Sequence, residues 1–111
     1  MIHRMNLWND SFLSMQSGRK TVEMRLNDEK RCLVSKGDTI IFTNTTTNEE
    51  MRVRVINTVV YKDFFELYKH YNKTEIGYSE DEISDPYDMY QYYSKEKIEK
   101  YGALAIQIEL T

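Results

Sequence analysis

The sequence predicts an α+β fold: a small mixed or antiparallel sheet, curled toward a barrel and flanked by helices. Three observations carry this. Apolar residues alternate at period two in separate stretches of the first half and again at the end of the chain. Between them lies a region of near-helical spacing. No regular strand-helix-strand alternation appears, which argues against a doubly wound parallel sheet.

The elements follow in order. After an opening strand, "LWNDSFLSMQSG" spaces Leu7, Trp8, Phe12 and Met15 as on a short helix. Asn9 or Asp10 serves as its N-cap and Gly18 as its stop. From Thr21 the period changes to two, with Val22, Met24 and Leu26 directed to the core and Thr21, Glu23 and Arg25 to the other face. A turn at Lys36, Gly37 and Asp38 precedes a strand from Thr39 to Thr43, and polar "TNTTTNEE" links it to "MRVRV", a hairpin partner over Met51 to Val55. "KDFFELYKHY" reads as a helix, and "SEDE" at 79 to 82 matches a capping box. Pro86 ends whatever helix precedes it. "SKEKIEKYG" is the last helix, with Glu96 and Lys100 paired at i, i+4 and Gly102 after its end. "ALAIQIEL" closes the sheet. Its Leu104, Ile106, Ile108 and Leu110 share one face.

Composition bounds the rest. A chain of 111 residues, 41% hydrophobic and 30% charged, predicts a single domain over 1–111 around one hydrophobic centre. One cysteine, Cys32, rules out an internal disulfide, and no signal-like segment opens the chain, so a cytoplasmic location is expected. No apolar run approaches the roughly 20 residues of a membrane span. The net charge of −3 hides an asymmetry: residues 1–60 hold nine Lys/Arg against seven Asp/Glu, and residues 61–111 six against eleven. Any contact with nucleic acid should therefore be local, not an extended duplex footprint.

The candidate site is "SGRKTVEMRL", residues 17–26, which gathers Arg19, Lys20, Thr21, Glu23 and Arg25 at the start of a strand. One reading is a solvated strand edge with a surface ion pair worth about 0 to 1 kcal/mol. The other is a site, in which a Lys beside a carboxylate is tuned for proton transfer and an Arg holds an anion bidentately. The element G-x-K-x-x-E-x-R (Gly18, Lys20, Glu23, Arg25), followed by "KGDTIIF" and by "YYSKEKIEKYGALAIQI", resembles the ASCH domain family of the PUA-like superfamily over essentially the whole chain. The resemblance implies a small β-barrel with a cleft to which the charged segment contributes, and it tips the choice toward a site. It further implies binding of RNA or of a modified nucleoside or nucleotide, with hydrolysis of RNA or of N4-acetylcytidine as the enzymatic alternative.

On that basis Gly18, Arg19, Lys20, Thr21, Glu23, Arg25 and Tyr93 are the expected ligand-binding residues. Lys20, Glu23 and Glu75 are the expected catalytic ones. Where amidohydrolase members carry a nucleophilic threonine this chain has Glu23, and Thr21 lies two positions early, so that mechanism does not carry over directly. A Glu23 carboxylate could instead orient a water as general base. Glu75 matches the distal glutamate of those members only loosely. Lys30 and Arg31 are balanced between a phosphate-facing and a solubilising role, whereas Arg52 and Arg54 read as solubilising. The run "YDMYQYY" offers aromatic faces for stacking on bases, although core packing is the expected use of most of its rings. No cofactor is implied, and His3, His70 and Cys32 lack metal-ligand spacing.

Overall fold

The computed structural model describes Met1 to Thr111. One five-stranded sheet contains β1 (Ile2–Leu7), β2 (Val22–Leu26), β3 (Thr39–Asn44), β4 (Glu50–Tyr61) and β5 (Ala103–Leu110), in the order β1-β3-β4-β5-β2. β1 and β3 run parallel and the other three pairs antiparallel. The sheet curls into a half-barrel, as expected. Its two edges are β1 and β2.

Two apolar clusters form on its opposite faces. Residues paired across neighbouring strands share a face, which puts Met5, Ile40, Phe42, Met51, Val53, Val55, Leu104, Ile106 and Ile108 on the inside of the curl. Helix α1 (Asn9–Gln16) lays Phe12 and Met15 into this concave face, where both are fully buried. Asn44 at the end of β3 donates to the Asn9 side chain at 2.9 Å, which ties the start of α1 to the sheet. Gly18, at φ +86, lets the chain reverse directly into β2.

The outer face of β5 and β2 is covered by α2 (Phe64–Tyr68), a 3-10 turn (Pro86–Gln91) and α3 (Lys95–Tyr101). Phe64, Leu67, Met89 and Ile98 pack there on Val22, Leu26, Ala103 and Ala105. The small alanines let the helical layer approach. Asp63, Asp85 and Ser94 each accept a hydrogen bond from a first-turn amide of the helix they precede. At Gly102 an added Cβ would meet the Tyr61 carbonyl oxygen at 2.8 Å, so only glycine fits between α3 and β5.

Five sequence expectations change. The first helix begins at Asn9 with Trp8 as its N-cap and no side-chain capping bond, so neither Asn9 nor Asp10 caps it, and Leu7 belongs to β1. β4 does not stop at Val55: a bulge between Val55 and Asn57 breaks the alternation that marks it, and the strand continues to Tyr61 with its faces exchanged. The "SEDE" segment makes its capping contact, Ser79 N to Glu82 Oε1 at 2.8 Å, yet closes a turn and starts no helix. Met24 is half-buried, packed at the edge of the outer cluster. Most consequential, β2 is buried on both faces. Glu23 and Arg25 pair with Ile106 and Leu104 and so point into the curl, while Val22 and Leu26 point out beneath the helices. The charged row faces inward because the helical layer claims the apolar one.

Candidate functional site

Between the edges β1 and β2 the half-barrel is open, and a cleft of about 520 Å³ occupies this seam. Asn6 and Leu7 of β1, Trp8, Asp10 and Ser11 at the start of α1, and Lys20 with Glu23, Met24 and Arg25 form one side. The loop around Gly77 and Tyr78 and the 3-10 turn, with Asp88, Tyr92 and Tyr93, form the other.

Glu23 sits at the centre of the floor, 3% exposed. Its Oε1 lies 2.7 Å from Lys20 Nζ and its Oε2 2.7 Å from Arg25 Nε and Nη2. Lys20, 6% exposed, also donates to Ser11 Oγ at 2.5 Å. Burial pushes the Glu23 carboxyl up, but the ammonium and guanidinium beside it outweigh this and hold it down at about 2. For Arg25 burial acts against the charge and Glu23 again outweighs it, raising its pKa. Arg25 Nη2 also donates to the Asn6 carbonyl at 2.7 Å, so one side chain of β2 bridges the seam to the backbone of β1.

These contacts consume both oxygens of Glu23 and leave donors to spare. Nη1 of Arg25 and the third N–H of Lys20 have no protein acceptor. The far wall is a hydroxyl network. Tyr78 Oη is 2.9 Å from Tyr68 Oη and donates to Asp88 Oδ2 at 2.8 Å. Burial pushes the Tyr78 phenol up to about 12 and raises Tyr68 further, so both remain neutral hydrogen-bonding groups. At the mouth Trp8 and Tyr92 meet edge to face, with centroids 5.3 Å apart, and both are largely exposed. In charge the lining sets Lys20 and Arg25 against Asp10, Glu23, Glu82 and Asp88, a net of −2.

Of the residues expected from sequence, Lys20, Glu23, Arg25 and Tyr93 come together here. Tyr93 stacks parallel on Phe64 at 6.0 Å with an edge to the cleft. The other four do not line it. Gly18 shapes the turn. Arg19 points to a smaller neighbouring hollow and donates to Ser17 Oγ at 3.3 Å. Thr21 is held through its backbone, donating to the Glu75 carbonyl and accepting from Ile108 N, each at 3.0 Å. Glu75 itself turns away, its carboxylate accepting the Asn72 amide at 2.9 Å, because its carbonyl is committed to Thr21 and Val22. Lys30, Arg31, Arg52 and Arg54 also lie outside the lining; Arg31 pairs with Asp28 and Arg54 with Glu109. No group of three or more His, Cys, Asp or Glu side chains is gathered as a metal site requires.

Ser11, Trp8, Asp10, Gly77, Tyr78 and Asp88 are site residues that the sequence pattern does not reveal. Ser11 reaches the cleft only because α1 turns back beside β2. Its signal is tertiary.

A curled mixed sheet with a helix in its concavity and a cleft at its open seam is the PUA-like class of fold. The ASCH domain model matches residues 5–111, and the chain belongs to that family, which is linked to RNA binding. Its fold is similar to the crystal structure of hypothetical protein PH0355, with a TM-score of 0.85, 29% identity and all of both chains covered. It is also similar to the solution structure of protein PF0455 from Pyrococcus furiosus, at 33% identity and TM-score 0.76, with 99% of this chain and 97% of that one covered. The ASCH protein from Zymomonas mobilis shares the fold at TM-score 0.70 and 20% identity, over 97% of this chain and 66% of that one. A comparison with curated proteins gives no match.

Proposed function

We propose that the cleft binds one nucleobase, from an unpaired nucleotide of RNA or a free nucleoside, with sugar and phosphate held at or outside the mouth. The observation that carries this reading is the combination of a buried ionic floor with unused N–H donors and an aromatic mouth. Lys20 and Arg25 Nη1 offer donors to a base carbonyl, and Trp8 and Tyr92 offer π-faces. Glu23 is the residue that holds both cations in place; with both oxygens engaged, it is not the ligand's main acceptor. The carboxylates that leave the lining at −2 favour an uncharged base over a phosphate in the cleft. Asp88 and the tyrosine hydroxyls offer acceptors to an exocyclic amine.

The test is calorimetric titration with pyrimidine and purine nucleosides, their 5′-monophosphates and a short single-stranded RNA. Nucleoside or RNA binding that weakens about tenfold in Trp8→Ala, the ~1.4 kcal/mol scale of one base–aromatic stack, is the expected result. Tighter binding of monophosphates than of nucleosides, with no effect of Trp8, would sink it. Hydrolysis in the same cleft is a second reading, favoured by one contact, that between Ser11 and Lys20.

A further inference from the structure

Lys20 and its neighbour Arg19 are delivered to different spaces. After α1 the chain reverses at Gly18, and the Ser14 carbonyl accepts both the Arg19 and the Lys20 amides at 3.1 Å, which fixes the backbone of the two cations. Lys20 enters the cleft floor. Arg19 lines a second hollow of about 290 Å³, bounded also by Leu13 of α1 and by Ser79. Asp10, Gly77, Tyr78 and Glu82 border both spaces, so the hollow adjoins the cleft and a ligand seated in one can extend into the other.

The hollow carries both signs of charge and does not neutralise them internally. Arg19 donates through Nε to Ser17 Oγ at 3.3 Å, which leaves its two terminal nitrogens free. Asp10 stands in the first turn of α1, and Glu82 has only Oε1 engaged, by the Ser79 amide at 2.8 Å. None of the three takes part in an ion pair of the chain. Opposite charges that line one small space without meeting suit a ligand that carries both. A phosphate would meet Arg19 but also two carboxylates, and a simple amine would meet the carboxylates but also the guanidinium. A zwitterion sets each end against its opposite, its carboxylate on the planar fork of Arg19 and its ammonium on Asp10 and Glu82. Leu13, 48% exposed, adds an apolar flank for the aliphatic carbons between.

We infer that the hollow is a second subsite for the α-amino-acid end of a ligand, and that the protein recognises a nucleoside whose base carries an amino-acid substituent. The inference rests on the base-binding reading of the cleft and adds what the base is attached to. With the base between the aromatic mouth and the ionic floor, the substituent leaves past Gly77. A Cβ there would stand 3.2 Å from Lys20 Cδ, so glycine keeps clear the side on which the two spaces meet. Arg19 is thereby a specificity-determining residue: it acts only on ligands that bring a carboxylate, and an unsubstituted nucleoside does not reach it.

The test is calorimetric titration of the full chain with one pyrimidine and one purine set: uridine and adenosine, their 3-(3-amino-3-carboxypropyl) and N6-(3-amino-3-carboxypropyl) derivatives, and the matching carboxypropyl analogues that lack the amine. In at least one set the amino-acid derivative should bind about tenfold more tightly than both the parent nucleoside and the carboxypropyl analogue. Arg19→Ala should return it to the level of the parent while the parent's own affinity stays unchanged, because Arg19 lies outside the cleft. Asp10→Asn should remove the advantage of the amine. Both side chains are exposed, so both variants should melt as wild type does. Parents that bind while their amino-acid derivatives bind no tighter, or an advantage that survives Arg19→Ala, overturn the inference and leave the base-binding reading standing. Carboxypropyl analogues that bind as tightly as the amino-acid derivatives make the hollow an anion site and overturn it as well. Where neither parents nor derivatives bind, the base-binding reading falls and the inference falls with it.

Discussion

β2 and β4 carry nearly the same pattern, "VEMRL" against "MRVRV", and use it in opposite ways. In β4, Met51, Val53 and Val55 face the inside of the curl, and Arg52 and Arg54 stand in solvent. In β2 the inward row is Glu23 and Arg25, and the apolar row faces outward under α2, α3 and the 3-10 turn. Period-two alternation fixes which residues share a face; it does not say which face the ligand or the solvent will see. At β4 the outer side is bare, so charge goes there. At β2 it is covered, so charge goes to the seam.

The largest expected effect breaks this contrast at Glu23. Removing one partner of a buried ionic group leaves the others uncompensated, a loss of about 3 to 5 kcal/mol. Glu23→Ala strands two cations on the cleft floor and releases Arg25 from the geometry in which it reaches the Asn6 carbonyl. Urea unfolding should therefore show a midpoint far below wild type, with the edges β1 and β2 the first to lose amide protection. A change within experimental error would make the inward row as dispensable as a surface one.

The same contrast explains what was legible in the sequence. Val22 and Leu26, Ile106 and Ile108, the hairpin at Asn44 and the helix ending at Gly102 follow from period, turn chemistry and capping alone, and they recover the curled sheet. The G-x-K-x-x-E-x-R spacing likewise identifies Lys20, Glu23 and Arg25, three side chains that the structure gathers on one floor. The continuation of β4 past Val55 was hidden, since a bulge at Ile56 erases the signal it would otherwise give. Ser11 and Trp8 were hidden for another reason: helical spacing marks Phe12 and Met15 as core, but not where the remaining sides of α1 will lie relative to β2. Glu75 fails as a cleft residue because a loop position says nothing of side-chain direction, and here its carbonyl is the part β2 needs.

A second, smaller effect comes with acid. The Glu23 carboxyl titrates at about 2 in the fold, against 4.5 for the unperturbed group. A depressed folded-state value means that the unfolded chain takes up the proton more readily. The stabilisation is complete above pH 4.5 and disappears as pH falls through 2, about 3 kcal/mol in all. Other carboxylates with lowered values, Asp28 and Asp38, act in the same direction. The difference between wild type and Glu23→Gln isolates the Glu23 share. Stability of the two, measured by urea at pH 6, 4, 3 and 2, should converge toward low pH. Parallel curves would mean that Glu23 is not ionised between its two cations.

The smallest effect belongs to β4 and completes the comparison. Arg54 pairs with Glu109 across β4 and β5, but the side chains are 58% and 45% exposed. Such a pair gives up little hydration and gains little, so Arg54→Ala should cost about 0 to 1 kcal/mol. That residue of stability should vanish in 1 M salt, where the screening length falls to about 3 Å. Glu23→Ala should keep most of its deficit in the same salt, because ions do not penetrate a floor where Glu23 and Lys20 are 3% and 6% exposed. Unfolding free energies for both variants in 0.05 and 1 M sodium chloride provide the measurement. If salt levels the two variants, burial does not distinguish the rows, and the seam of the half-barrel is as wet as its outer wall.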